Sequence, residues 1–405
     1  MQQLLNDKWL EIDIDAIVNN LEIVQSLLND GVRLIAVVKA DAYGQGAVEI
    51  TRTLAEKGVD YFGVSFLEEA LELRKAGIFN NILVFSPIIN EDQIVAAVFH
   101  NITLTVASLY DSQLIDKVSR KLKHLITVHL KVDTGLGRFG INKEEIIQIS
   151  SSLKENSNIY IEGIYTHMAE AASKNPYYTR KQYARFMEMV QKVLDTGISI
   201  PLRHCANSAV LLKYPDMQLD AVRVGTLLSG QHPAGKFPIQ LPILDPFKLK
   251  TRIIAIKILE AGSCLGYYRT FKLNKKAQIA VIPVGFNDGL ALSVANKPTG
   301  LFDLLKIILK RILNYLDFPR FSLHVIFKGE CFPIRGKVFM QMALIELPME
   351  LEVKIGDEIE VLVSKTLVRK TITRVYVKDK KIYWDKNRHQ VENIKDAETP
   401  ENYEL

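Results

Sequence analysis

Eight short apolar runs, most of them followed by a helical pattern, constrain this chain more than any other feature. They fall at residues 35–39, 61–66, 82–86, 102–107, 126–132, 159–165, 202–206 and 221–224. The first begins as a continuous apolar run, the pattern of a strand buried on both faces in a parallel sheet, and the others are apolar and strand-like. Helical periodicity occupies most of the intervals, as at 67–76, 111–121, 143–154 and 179–196. Strand–helix alternation implies parallel pairing, and eight such units predict a closed (β/α)8 TIM-type barrel, with an open doubly wound sheet as the alternative.

A barrel of this kind builds its site at the carboxyl ends of its strands. Lys39 ends the first run, where burial would push its amine toward the neutral, nucleophilic form. The plain alternative is a lysine escaping the sheet into water. Lys131, Asp133 and Arg138 lie at and after the fifth run, and His167 follows the sixth. Asn207 and Ser208 end the seventh; Arg223, Gly225 and Thr226 end the eighth. Any one of these alone reads as structural. Their shared position after strands points to a single site.

Composition excludes several classes. A net charge of +5 over 405 residues is spread along the chain, compatible with an anionic ligand but too diffuse to argue for nucleic acid. Three distant cysteines, Cys205, Cys264 and Cys331, suggest neither a disulfide framework nor a zinc site, so no metal is expected. The first residues show no basic n-region and no apolar h-region, so no signal peptide is read and the cytoplasm is expected.

From Leu249 the pattern changes. Alternating, β-branched runs at 249–259, 277–284, 324–327, 334–347, 358–363 and 371–377 predict a mostly antiparallel β domain. The expected division is a barrel over 1–245, a β domain over 246–378 with a helical insertion at about 301–317, and a polar tail over 379–405. The insertion places polar residues 303, 306, 310 and 314 on one helix face, with leucines and isoleucines opposite. Packing on its own protein or a partner subunit is the expected use, a membrane surface the alternative. It is too short and too charged to span a bilayer.

The stretch Ile35-Ala-Val-Val-Lys-Ala-Asp-Ala-Tyr-Gly-Gln-Gly46 resembles the pyridoxal-phosphate motif of alanine racemases, A-V-V-K-A-[ND]-A-Y-G-H-G, with Gln45 at the histidine. The resemblance implies that Lys39 carries pyridoxal 5'-phosphate and serves as one base. It implies that Tyr43, Ser208 and the Gly225–Thr226 backbone hold the phosphate, with Asn207 beside them. Arg223 matches the arginine facing the pyridine nitrogen, where related decarboxylases place a carboxylate. Arg138 matches the arginine contacting the cofactor's phenolic oxygen and the substrate carboxylate. Lys131 matches a lysine that is often carbamylated and orients that arginine, and His167 one that links the catalytic tyrosine to the Arg223 region.

Farther along, Ala261-Gly-Ser-Cys-Leu-Gly-Tyr-Tyr-Arg-Thr-Phe271 is similar to the segment carrying the second base, which places that role on Tyr267. The resemblance implies that a partner subunit supplies this tyrosine, hence a homodimer with shared active sites. Met340, in Gly336-Lys-Val-Phe-Met-Gln-Met342, matches a methionine whose backbone approaches the substrate carboxylate. Departures from the family pattern are Gln45, Tyr268 in place of glycine, Phe286 in place of tyrosine, and Gln341 in place of an acidic or asparagine residue. The late phosphate-contacting tyrosine has its nearest counterpart at 371–376. The expected function is alanine racemisation supplying D-alanine for peptidoglycan. A racemase of serine or of broader specificity, and a catalytically degenerate cofactor-binding or interaction protein, are the alternatives.

Overall fold

The computed structural model describes residues 6–385, except 236, 238, 239, 295, 296, 299, 317, 319 and 320. The chain divides into two compact units, Ile14–Pro246 and a second formed by Met1–Asp13 with Phe247–Leu405.

The first strand, β1 (Lys8–Asp13), belongs to the second unit. The first unit opens with α1 (Ile14–Ser26) and contains the eight parallel strands read from the sequence. They are β2 (Arg33–Val37), β3 (Tyr61–Val64), β4 (Asn81–Pro87), β5 (Thr103–Val106), β6 (Ile126–Lys131), β7 (Ile159–Tyr165), β8 (Leu202–His204) and β9 (Ala221–Val224). Their spatial order follows the chain from β2 to β8, and β9 pairs with β2. The remaining seam is closed by an Ala206–Val222 bridge and by bonds from Asp220 N to Arg203 O (3.1 Å) and Arg223 N to Ala206 O (2.9 Å). A nearly closed parallel barrel results. Strand-facing residues Ile35, Tyr61, Leu83, Leu202 and Ala221 form a buried cluster with Phe85 packed on it.

The connecting helices are α3 (Ala47–Glu56), α4 (Leu67–Lys75), α5 (Glu91–Phe99), α6 (Leu109–Leu122), α7 (Ile146–Lys154), α8 (Tyr177–Asp195) and the short α9 (Ser208–Lys213). Several start on side-chain caps: Asn90, Ser108 and Asn207 accept bonds from backbone N–H groups of the first turn. Between β2 and α3 lies α2 (Lys39–Gly44), in which Ala40, Asp41, Ala42 and Tyr43 all adopt left-handed φ of 50–59°. Lys39 is thus two residues beyond the strand it was expected to end. Left-handed geometry costs roughly 1–2 kcal/mol for each of these non-glycine residues. Side chains hold it in place. Glu69 accepts from Ala40 N (2.6 Å) and from Ser65 and Phe66 N, and Asp41 accepts from Ala47 N (2.9 Å).

The second unit is mostly antiparallel. Its strands are β10 (Phe247–Arg252), β11 (Ala255–Leu259), β12 (Cys264–Leu265), β13 (Phe271–Lys272), β14 (Ala277–Ile282), β15 (His324–Phe327), β16 (Glu330–Arg335), β17 (Ala343–Leu347), β18 (Glu358–Val361), β19 (Arg374–Lys378) and β20 (Lys381–Asp385). Ten of them, with β1 included, form one sheet in the order β11-β14-β17-β16-β15-β18-β10-β1-β19-β20.

Three expectations are corrected here. Residues 8–13 were assigned to the barrel unit, but β1 pairs antiparallel with β10 and parallel with β19. A barrel closed by eight strands offers no edge for a ninth, whereas Trp9, Leu10 and Ile12 are buried in the sheet. The long runs at 249–259 and 334–347 each split into two strands. Residues 381–385 of the expected tail form β20 on β19, and the remainder of the tail lies outside the described residues. The insertion is α10 (Leu301–Tyr315), as its periodicity predicts, and none of its residues is buried within its own chain.

Candidate active site

Within the barrel unit, a cavity of about 520 Å³ opens at the carboxyl ends of the strands. It is lined by Lys39, Tyr43, Lys131, Arg138 and His167, and on its other side by Asn207, Ser208, Arg223, Gly225 and Thr226. All the barrel residues singled out in the sequence as cofactor-binding therefore share one cavity. Ser65, Phe85, Ser86 and Tyr165 also line it and were not anticipated, because nothing in an apolar run marks which residue turns toward the mouth.

The left-handed turn explains the reach of Tyr43. A Cβ built on Gly225 would meet the Tyr43 hydroxyl at 2.3 Å, so glycine just after β9 leaves room for the phenol. Burial raises the Tyr43 pKa to about 12, which keeps the hydroxyl a proton donor. Gln45, at the family's histidine position, is buried and donates to the Ser229 carbonyl (2.8 Å), tying this turn to the loop after β9. Asn207 caps α9 by accepting from Ala209 N and Val210 N, which fixes Ser208 at the cavity wall.

Burial lowers the Lys39 pKa, Arg138 and Arg223 push the same way, and Glu69 opposes them. Lys131 is 2% exposed and its pKa falls to about 7 through burial and the Arg223 charge, with Arg138 adding to Arg223 and Asp133 opposing. Its amine donates to the Val132 carbonyl (3.1 Å) and sits 5.3 Å from the Tyr165 ring centre. Asp133 gathers the N–H groups of Gly135, Leu136 and Gly137, shaping the loop that presents Arg138. His167 is neutral: burial, then Arg223, Lys131, Arg138 and Lys39, bring its pKa to about 3.

Arg223 stands at the head of a chain of buried polar groups running down the barrel interior. Its Nη1 donates to His204 Nδ1 (2.7 Å) and to the His204 carbonyl (2.9 Å). Nη2 donates to the carbonyls of Thr166 (2.7 Å) and Cys205 (3.4 Å). His204 Nε2 lies 2.8 Å from His129 Nδ1, and His129 Nε2 lies 2.9 Å from Glu162 Oε2. The Tyr61 hydroxyl donates to the same Glu162 oxygen at 2.6 Å. Because guanidinium only donates and carboxylate only accepts, both tautomers are determined. His204 carries its proton on Nε2 and His129 on Nε2, and every donor in the row points away from Arg223 toward Glu162. Burial keeps both histidines neutral, the Arg223 charge adding to it, with Glu162 opposing at His129. Nε–H is the one Arg223 donor without a protein acceptor among the described residues.

These features fit a cofactor with an anionic phosphate at one end, an aldehyde and an unprotonated ring nitrogen. Hydroxyls of Tyr43 and Ser208 would suit the first, the Lys39 amine the second, and the spare Arg223 N–H the third, all from residues lining the cavity. In the second unit, the remaining motifs converge on one another. Asn287 N donates to Met340 O (3.0 Å), Phe286 N to Phe339 O (3.1 Å), and the Tyr267 ring meets Phe339 edge-on at 5.1 Å. Tyr376, in the region nearest the late phosphate-contacting tyrosine, is buried within β19.

The fold and site define a barrel enzyme dependent on pyridoxal 5'-phosphate, its lysine set just beyond the first barrel strand. The chain belongs to the alanine racemase family: "Alanine racemase, N-terminal domain" matches residues 12–233 and "Alanine racemase, C-terminal domain" residues 247–382. It is 35% identical to the alanine racemase of Clostridium tetani over 360 residues, 88% of this chain and 86% of that one. It is 33% identical to alanine racemase 1 of Caldanaerobacter subterraneus, covering 87% and 84% of the two chains. Among solved structures, alanine racemase of Clostridium difficile superimposes with a TM-score of 0.84 at 27% identity, covering 95% of this chain and 99% of that one. The Bacillus anthracis enzyme with bound L-Ala-P gives 0.82 at 26% identity, covering 96% and 100%.

Proposed function

We propose that this protein interconverts L- and D-alanine with pyridoxal 5'-phosphate, supplying D-alanine for peptidoglycan, with Lys39 and Tyr267 as the two bases. The observation that carries the reading is the meeting of Lys39, Tyr43, Arg138, Ser208 and Arg223 in one cavity. When bound, the cofactor supplies the electron sink that lets an α-proton leave. The chain's own residues do the rest. Tyr43, Ser208 and the Gly225–Thr226 backbone hold the phosphate, and Asn207 keeps Ser208 in place. Lys39, its pKa lowered by burial and by Arg138 and Arg223, takes or returns a proton at Nζ. Arg223 would donate to the ring nitrogen, and because a guanidinium keeps its proton it would leave that nitrogen unprotonated.

Racemisation needs a second base on the opposite face, and Tyr267 of a partner subunit fills that role in this reading, giving a homodimer with shared sites. Arg138 would hold the substrate carboxylate, and His167 would link the partner's tyrosine to Arg223. Lys131, with an amine pKa near 7, is suited to carry a carbamate that orients Arg138.

The test is a panel of L-amino acids with added cofactor, read by chiral chromatography. L-Alanine should give D-alanine with the highest kcat/KM, and Lys39→Ala should abolish turnover and the visible absorbance of bound cofactor. Preference for serine would move the substrate assignment to the racemase of other specificity. No cofactor absorbance and no turnover with any substrate would leave a binding protein instead.

A further inference from the structure

The helix α10 is used by nothing in the reaction and buries nothing in its own chain. At 3.6 residues per turn, Leu301, Leu305, Ile308 and Ile312 form the centre of an apolar half-circumference, with Leu304 and Leu309 on its wings. Leu305 and Ile312 are 54% and 50% exposed. Lys310, Asp303 and Asn314 occupy the opposite face. Two further cations sit at the margins: Lys306 beside Phe302, whose ring centre lies 4.5 Å from its ammonium, and Arg311 beside Leu304.

The shape and charge of this face select its occupant. A 15-residue helix is about 22 Å long and about 10 Å across, a face of a few hundred Å². That is well below the roughly 800 Å² per partner of a stable protein interface, so a second copy docking through α10 alone has too little to bury. An apolar sector half a circumference wide is also broader than the narrow seam of a paired helix, and suits a flat apolar medium. Cations at both margins are placed to lay their alkyl stems along the apolar face while their charges reach outward into a layer of anions. The helix carries three basic residues and one acidic one, a balance that favours an anionic surface and disfavours another copy of itself. We propose that α10 is an interfacial helix that docks the protein on an anionic lipid bilayer, lying in the headgroup plane without crossing it. Among the described residues no helix is long and apolar enough to cross a membrane, so the association is peripheral.

The experiment uses the full chain loaded with cofactor and unilamellar vesicles of phosphatidylcholine, with and without phosphatidylglycerol, read by co-sedimentation. Binding is expected on the phosphatidylglycerol vesicles, weaker on phosphatidylcholine alone and weakened by salt. Replacing both Lys306 and Arg311 by Gln should lower the partition coefficient about fivefold per charge. Leu305→Asp or Ile312→Asp should lower it about tenfold or more each. Thermal midpoints and turnover should stay at the parent values in all four substitutions, since these side chains support neither core nor cavity. Failure of the parent protein to sediment with anionic vesicles overturns the proposal. So does binding that survives Leu305→Asp with Ile312→Asp, which would place the contact elsewhere on the chain. If sedimentation velocity instead shows self-association that the same pair dissolves, a second copy covers the helix and the lipid assignment falls.

Discussion

Replacing Glu162 by alanine should damage the barrel from its interior and disturb the cavity at a distance. One carboxylate oxygen accepts both the Tyr61 hydroxyl and His129 Nε2, and Tyr61 and His129 are each fully buried. Alanine removes the shared acceptor; the Tyr61 oxygen, 3.2 Å from His129 Nε2, can still accept from it, so the Tyr61 hydroxyl is the donor left stranded. At about 1–3 kcal/mol for an unsatisfied buried group, the loss is about 1–3 kcal/mol. For a unit the size of the barrel that lowers the melting midpoint by about 2–4 °C per kcal/mol, so by about 4–8 °C at the centre of the range. Glu162→Gln keeps an acceptor oxygen and removes the charge, and should cost only about 1 kcal/mol.

The pH dependence follows from the same bonds. Burial works to raise the Glu162 pKa, but the hydrogen bonds from His129 and Tyr61 and the Arg33 charge outweigh it and hold the carboxyl below 4.5. A depressed carboxyl stabilises the fold above its unfolded pKa and loses that contribution as pH falls through the folded one. The gap between wild type and Glu162→Gln should therefore be constant near neutrality and close below about pH 4.5. Without Glu162 the His129 Nε2–H at the end of the row loses its charged acceptor and the ring its anchor, so kcat should fall more in the alanine variant than in the glutamine variant at matched folded fraction. Calorimetric melts with initial rates decide it. An alanine variant that melts with wild type, or a glutamine variant as damaged as alanine, would refute the directed chain of donors.

Gly225→Ala drives a methyl into the Tyr43 hydroxyl, and loss of that charge-assisted contact should weaken cofactor binding about tenfold or more in an absorbance titration. Lys131 loses its proton as pH rises through about 7, so incubation with ¹³C-bicarbonate above that pH should produce a carbamate resonance that Lys131→Ala lacks. Tyr267→Phe should slow solvent-deuterium incorporation more in the direction in which the tyrosine removes the proton; a harmless Tyr267→Phe beside a crippling Tyr268→Phe would move the second base one residue along.

The barrel was legible because a parallel strand buried on both faces leaves a continuous apolar run, and eight such runs leave few ways to fold. The cavity was legible for a related reason: Lys39, His167, Ser208 and Arg223 all follow strands that the pattern identifies. What stayed hidden had no local signature. Ala40, Asp41, Ala42 and Tyr43 carry no glycine among them, so nothing announces four left-handed residues in succession. His129, Glu162 and His204 read singly as interruptions of apolar strands, and only the closed barrel brings them within hydrogen-bonding distance. In the second unit, the alternation at 249–259 and 334–347 marks strands but not the turns that divide them. The α10 periodicity reveals a helix and its apolar face, while leaving its occupant to arguments of area and charge.

The position of β1 has a consequence for biosynthesis. Residues 8–13 are synthesised before the barrel, yet their neighbours β10 and β19 begin only at Phe247 and Arg374. The barrel can complete itself while translation continues, but this early segment must wait unpaired until β10 follows, and has its second neighbour only when β19 is made. Premature termination before Arg374 would leave a finished barrel tethered to a sheet with a missing plank.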